Sequence, residues 1–277
     1  MQKKRALLTF LCALALTAPT VAFAACGDSK DDEAVVPDAP IDGGVSEENG
    51  GTDKEEPDVP VVTPTVEQSK YIRCTGDSVY FRTGAGTSYS TLGSAKKGEI
   101  YAVVDKTGGW YKTYYRGKTA YLSASYATLL TLDPHEDKQV ENVLHEGYKL
   151  LGVPYVYGAV RLHDGKGNFL SGFTTQKFDC SSLVQYVYYQ GADKLLQVTT
   201  RTQVKQGLYV AKSNLERGDC IYFTNESRRH LTGIERVGHV AIYLGDNYIL
   251  HTASDYARIE TISATRWSYY IEARRFI

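Results

Sequence analysis

"KFDCSSLVQYVYYQG", residues 177–191, sets one cysteine between an aspartate and two serines at the head of an amphipathic run. Cys180, Leu183, Val184 and Val187 fall at i, i+3, i+4 and i+7, which is one face of a helix. Asp179 suits the N-cap and Gly191 the stop. Cys180 therefore belongs to a first helical turn, pointing toward whatever the helix packs on. Unpaired N–H groups and the positive end of the helix dipole gather there. They favour thiolate over thiol and lower a thiol from its free value of about 8.5. The same donors could hold an oxyanion. A small, buried, inert cysteine is the competing reading.

A nucleophilic thiol needs a base. Of the six histidines, His135 and His145 fall on a second helical stretch and His163 and His230 in polar, loop-like sequence. His239 opens the strand-like "HVAIYLG", and His251 lies in the next such run, "YILHTAS". A three-residue loop at 245–247 sets Leu244 against Tyr248 and Ala241 against His251. The two histidines then become diagonal neighbours on one face, roughly 7–8 Å apart at the backbone. His251 can then orient His239. A two-residue turn alone would send His251 to the opposite face. Half-buried strand residues without a task remain the alternative for both.

The N-terminus reads as an export signal: basic "MQKKR", an apolar centre, then Ala22-Phe23-Ala24. A retained membrane helix is the alternative. "FAAC" resembles a bacterial lipoprotein signal, with Cys26 as the lipidated residue; cleavage after Ala24 would instead release a soluble protein. Residues 27–60 carry twelve Asp or Glu, two Lys and four Pro, a composition that cannot offset its ordering entropy, so a disordered tether is expected. The whole chain is −1, which leaves residues 61–277 mildly basic and suited to an anionic wall. Export and the lack of a dense Lys/Arg stripe argue against nucleic acid.

From residue 67, short β-rich runs alternate with the Gly-containing breaks "TGAGTS", "KKGE", "KTGGW" and "YRGKT", the pattern of a small barrel or sandwich. Arg82-Thr83-Gly84, Tyr89, Lys97-Gly98, Gly109-Trp110-Tyr111, Gly117-Lys118 and Ala120-Tyr121 recur in the order of the bacterial SH3-like domains, which this segment resembles. A helix follows in "LDPHEDKQVENVLHEGYKLLGVP", with Asp133 as cap, Pro134 in the first turn, and Val140, Val143, Leu144, Tyr148 and Leu151 at helical spacing up to Gly152 and Pro154. The expected organisation is a signal peptide at 1–25, a tether at 26–66, an SH3-like domain at 67–132 and a second domain at 133–277.

"GVPYVYGA", "FDCSS", "ERGDCIYF" and "GHVAIYLGDNYILHTAS", in that order, resemble the NlpC-type cysteine peptidases of bacterial cell walls. The resemblance implies an α+β, papain-like fold, a helix bearing the cysteine on an antiparallel sheet bearing both histidines. It assigns Cys180 as nucleophile, His239 as base, His251 as the residue orienting the base, and Tyr155 as a tyrosine near the thiolate that helps stabilise the oxyanion. Asp179 and Ser181 flank the nucleophile as substrate contacts or as capping residues. Ala159 and Ser182 stand where that family often has glycine, and "VRLHDGKGNFLSGFTTQK" and "NESRRHLTGIERV" are long, loops expected at the cleft rim.

The implied activity is hydrolysis of peptidoglycan stem peptides at the bond between D-γ-glutamyl and a diamino acid, by an exported monomer needing no cofactor. Membrane contact is expected only through lipid at Cys26. Amidase or acyl-transfer chemistry on the same thiol, and a wall-binding protein without catalysis, are the alternatives. A zinc site from Cys180, His239 and His251 lacks a close-spaced ligand pair. A Cys74–Cys220 disulfide is open in an exported protein. The SH3-like segment has two candidate roles: holding the wall, or restricting what enters the cleft.

Overall fold

The computed structural model describes residues 68–277. The segments expected to be a signal peptide and a tether, with Cys26, lie outside the described residues. In the first half the alternating runs form eight strands: β1 (Ser69–Cys74), β2 (Val79–Arg82), β3 (Thr91–Ala95), β4 (Ile100–Ala102), β5 (Asp105–Thr107), β6 (Trp110–Tyr115), β7 (Lys118–Ser123) and β8 (Ala127–Leu132). Strands β3-β2-β7-β6-β5 make a five-stranded antiparallel sheet. Phe81 locks it to its neighbours, stacking on Tyr115 at 4.5 Å between ring centres and meeting Tyr101 edge-on at 4.7 Å.

The second half supplies α1 (Lys138–Lys149), α2 (Cys180–Ala192), α3 (Thr200–Gln203), β9 (Leu208–Val210), β10 (Cys220–Phe223), β11 (His239–Gly245), β12 (Tyr248–Ala253), β13 (Tyr256–Thr261), α4 (Ala264–Ser268) and β14 (Tyr270–Arg275). Its sheet does not stop at its own strands. The order is β8-β1-β4-β13-β12-β11-β10-β14-β9, nine strands across both halves, joined where Ile100 of β4 pairs with Ile259 of β13. One buried cluster likewise runs from Tyr71 to Phe276. The change from all-β to mixed structure at residue 132 is thus a change of chain pattern inside a continuous core.

Buried polar bonds reinforce the join. Arg217, almost wholly buried, sends two bonds to Glu141 (2.5 and 3.0 Å), one to Leu244 O (2.8 Å), and one each to the hydroxyls of Tyr71 (2.8 Å) and Tyr148 (3.0 Å). Arg116 Nε donates to Gly152 O at 2.9 Å. Gly152 has φ +83°, and a Cβ there would come within 2.6 Å of the Tyr115 ring, so only glycine lets α1 end against the first half.

Helix α2 lies on β11 and β12, and α1 packs on α2. Two helix ends differ from expectation. The cap of α1 is Asp137, whose side chain accepts from Gln139 N at 2.8 Å; Asp133 and Pro134 precede it outside the helix, and Glu141 reaches back to accept from His135 N. Gly191 does not stop α2. The helix continues to Ala192 and turns at left-handed Asp193, while Gly191 lets α1 approach: a Cβ would meet Val143 N at 2.4 Å. Cys74 and Cys220 are free and buried, so the possible disulfide is not formed; Cys220 Sγ packs instead on the Tyr188 hydroxyl at 3.6 Å.

Candidate active site

The sequence places Cys180 first in α2, and its neighbours explain why the helix starts there. Asp179 accepts from Ser182 N at 2.8 Å, and Ser182 Oγ accepts from Asp179 N at 2.8 Å, a reciprocal capping box. Serine at 182, rather than glycine, closes that box. The remaining Asp179 oxygen takes Arg161 Nη2 at 2.7 Å and Gly158 N at 3.2 Å. Ser181 Oγ bonds Asp179 Oδ1 at 3.1 Å and receives Arg161 Nη2 at 3.1 Å. The polar atoms of Asp179 and Ser181 are therefore engaged inside the protein while both residues line the cleft.

The backbone N–H groups of Val240 and Ser181 lie near enough to the Cys180 sulfur to act in the thiolate's favour. Burial, and then the Asp179 charge, nevertheless push the thiol up to about 12, so the expected lowering by the helix start is reversed. The two N–H donors and Arg161 act in the thiolate's favour but are outweighed. His239 is held well below the ordinary imidazole range by burial, then by His251 and Arg266. At neutral pH the resting pair is a thiol beside a neutral imidazole. Alkylation of Cys180 by iodoacetamide should accordingly rise about tenfold per pH unit from about pH 6 to 8. A rate already flat across that range would reveal a preformed thiolate and contradict this electrostatic balance.

The histidines meet through a hairpin that reaches the required register by a different route. Asp246 and Asn247, at φ +47° and +66°, form a two-residue turn, which alone would put His251 on the wrong face. A bulge between Tyr243 and Gly245 adds one residue to β11. Gly245, not Leu244, therefore pairs with Tyr248, while Ile242 and Leu250 keep the register that sets the histidines diagonally. His239 Nε2 and His251 Nδ1 are 2.9 Å apart. They alternate with Val240 and Leu250, which join the core under the helices, so the pair stands on the sheet face that also carries Phe223 and Ile249. His239 is the first residue of β11 and follows Gly238, which lines the cleft with Cys180.

Glu260 of β13, which the sequence reading did not single out, completes this row. Its Oε1 lies 3.0 Å from His251 Nε2, oblique to the N–H direction and so a charge contact more than a hydrogen bond. Arg266 Nη2 holds the same oxygen at 2.9 Å. Burial would raise the Glu260 carboxyl, but His251 and the two arginines near it hold it down at about 2, so it is an anion. That anion favours the proton on His251 Nε2. His251 Nδ1 then accepts from His239 Nε2–H, and His239 Nδ1 keeps a free lone pair.

Tyr155 borders the cleft on both sides of this row. Its backbone is fixed by N–H donation to Asp255 O at 2.9 Å. Burial, Cys180 and Asp179 push its hydroxyl up to about 12, which keeps it a donor. Of the residues expected at the site, Cys180, Tyr155, Asp179 and Ser181 share one cleft. His239 opens from the adjoining one, and His251 is buried behind it.

Residues 152–275 match the NlpC/P60 family, and residues 77–128 match the bacterial SH3 domain. These segments are an NlpC/P60 domain and a bacterial SH3 domain. The chain is 31% identical over 209 residues to a gamma-DL-glutamyl hydrolase of Bacillus subtilis, spanning 73% of this chain and 45% of that protein. It is 27% identical over 140 residues to a gamma-D-glutamyl-L-lysine dipeptidyl-peptidase of Bacillus cereus, spanning 50% of this chain and 36% of that protein. The chain therefore spans less than half the length of these curated relatives. A crystal structure of an NlpC/P60 family protein from Bacillus cereus aligns over 75% of this chain and 63% of its own, at 19% identity and a TM-score of 0.40.

Proposed function

We propose that this chain is an exported peptidoglycan hydrolase cleaving the stem peptide between D-γ-glutamyl and a diamino acid through Cys180. The observation that carries this reading is Cys180 at the head of α2 in a cleft that Tyr155 and Gly238 also line, with His239, the residue after Gly238, bonded to His251 and His251 facing an anion.

The thiol attacks the scissile carbonyl carbon while its proton passes to His239 Nδ1, so thiolate forms only as the C–S bond does. The carbonyl oxygen becomes an oxyanion, for which the Tyr155 hydroxyl and the backbone N–H of Cys180, first in α2, are the donors at hand. His239, now imidazolium, gives its proton to the leaving amine, and the C–N bond breaks. Water then hydrolyses the thioester, with His239 taking the proton from water and returning it to sulfur. His251 positions His239, and Glu260 stabilises the positive charge that passes along this row. The B. subtilis and B. cereus relatives, named for γ-glutamyl bonds, support the choice of bond.

Digestion of purified wall fragments, with products identified by mass, tests the reading: new termini at D-glutamyl and at the diamino acid amine are expected. Cleavage elsewhere in the stem, or none, would refute it. Glu260→Gln should lower kcat by about tenfold or more, since the His251 tautomer is no longer enforced. It should also move the acid limb of the profile to lower pH, because the carboxylate that raises the His251 pKa is gone. A purely structural Glu260 would leave that limb in place.

A further inference from the structure

The cleft beside Cys180 holds more positive charge than its own carboxylates neutralise. It encloses ≈ 390 Å³, and Arg161, Arg201 and Arg228 all line it. Arg161 is committed: it donates to Val198 O at 2.8 Å, to Ala159 O at 2.6 Å and to Asp179 at 2.7 Å. Arg201 and Arg228 are not. Both turn to one carboxylate oxygen of Glu235, at 3.5 and 3.3 Å, and that side chain is 58% exposed. Two guanidinium groups thus share a single, loosely held, solvated anion.

Arg228 has a second bond besides that anion, and the helix that carries Arg201 is fixed by others. Arg228 Nη1 also donates to the main-chain oxygen of Glu235 at 2.8 Å, so it stays aimed when the carboxylate leaves. Arg201 rides on α3, whose start is closed by Thr199 and Thr202 bonding each other reciprocally. Helix α3 is tied to the cysteine helix by Gln203 Nε2, which donates to Ser181 O at 2.9 Å. Gly238, just before His239, admits the last piece: a Cβ there would come within 2.5 Å of Asn225 Nδ2 and 3.0 Å of Arg228 Cδ.

We infer that Arg201 and Arg228 form a subsite for a free carboxylate of the substrate close to the scissile bond, with Glu235 as an internal placeholder that the incoming carboxylate displaces. This rests on the stem-peptide reading above. Such a peptide offers two sources with the same chemistry: the α-carboxylate of the D-glutamyl residue and the free carboxylate of a diaminopimelyl residue.

The test measures kcat/KM on two pairs of synthetic stem peptides. One pair differs only in carboxylate or carboxamide at D-glutamyl, the other only in carboxylate or carboxamide at diaminopimelate. Wild type should prefer the carboxylate member of one pair by about 10- to 100-fold, the worth of charge-assisted hydrogen bonds, and that pair identifies the source. Arg201→Gln with Arg228→Gln should collapse the preference. Glu235→Gln should widen it by lowering KM for the carboxylate member. If the double variant fails to fold in a melting assay, the Glu235→Gln result decides alone. Equal cleavage of both members of both pairs overturns the subsite while leaving the hydrolase reading intact, as does an unchanged preference in these variants. Cleavage of none of the four peptides overturns the hydrolase reading and the subsite together.

Discussion

Cys180→Ala is expected to cut hydrolysis of wall fragments by about 10⁴-fold or more, the loss seen when a nucleophile is removed from a catalytic unit. The expectation rests on position. Among the described residues Cys180 is the one cysteine that lines the cleft; Cys74 and Cys220 are buried in β1 and β10. Cys74→Ala and Cys220→Ala should therefore keep the rate, with only the modest stability cost of a small core truncation. The fold of the Cys180→Ala variant should survive, since the capping box of Asp179 and Ser182 does not involve the sulfur. Stem peptide should still bind it, because Arg161, Tyr155 and the rest of the cleft are untouched. Undiminished lysis by Cys180→Ala would end the thiol mechanism.

The second large effect concerns stability. Arg217→Met should destabilise the protein by about 3–5 kcal/mol, the cost of breaking a buried ion pair from one side. The side chain of Arg217 is only 4% exposed, and burial alone would lower its pKa. Glu141 and the hydroxyls of Tyr148 and Tyr71 outweigh that burial and hold the guanidinium charged. Removing it leaves Glu141, two buried hydroxyls and the Leu244 carbonyl without their shared donor. For a chain of this size the melting temperature should fall on the order of 10 °C. Tyr71→Phe, which removes one acceptor, should cost only about 1 kcal/mol. Urea unfolding gives both values. A loss below about 1 kcal/mol for Arg217→Met would mean that apolar packing alone holds the halves together.

What the sequence disclosed, and what it withheld, follows the range of the interactions. Local patterns were legible. The spacing of Cys180, Leu183, Val184 and Val187 marked the buried face of α2, and Asp179 marked its start. The alternation around His239 and His251 marked two strands, and their pairing was the right one even though the turn was not. The bulge was hidden because a two-residue turn plus one extra residue and a three-residue loop leave the same register at the histidines. Glu260 gave no signal: it is one of many surface-type acids in a strand, and only the β12–β13 pairing brings it to His251. Arg161, Arg201 and Arg228 come from separate loops and a short helix, so their convergence is a property of the fold alone. Gly191 read as a stop because glycine ends helices more often than it serves a helix crossing.

His163 belongs with these. It lies in polar, loop-like sequence, and the structure buries it fully, with Gln185 Nε2 donating to its carbonyl at 3.1 Å and its ring near Tyr189. The long segment before the cysteine is thereby anchored to α2 rather than draped over it.

The Ile100–Ile259 pairing of β4 with β13 has a bearing on how such a molecule can be taken apart. Excising the SH3 domain would strip β13, the strand that carries Glu260, of its β4 neighbour and leave it an unpaired edge. The two halves are better thought of as one cooperative folding unit than as beads on a string, so neither is free to be traded for another module without rebuilding the strand edge it leaves behind.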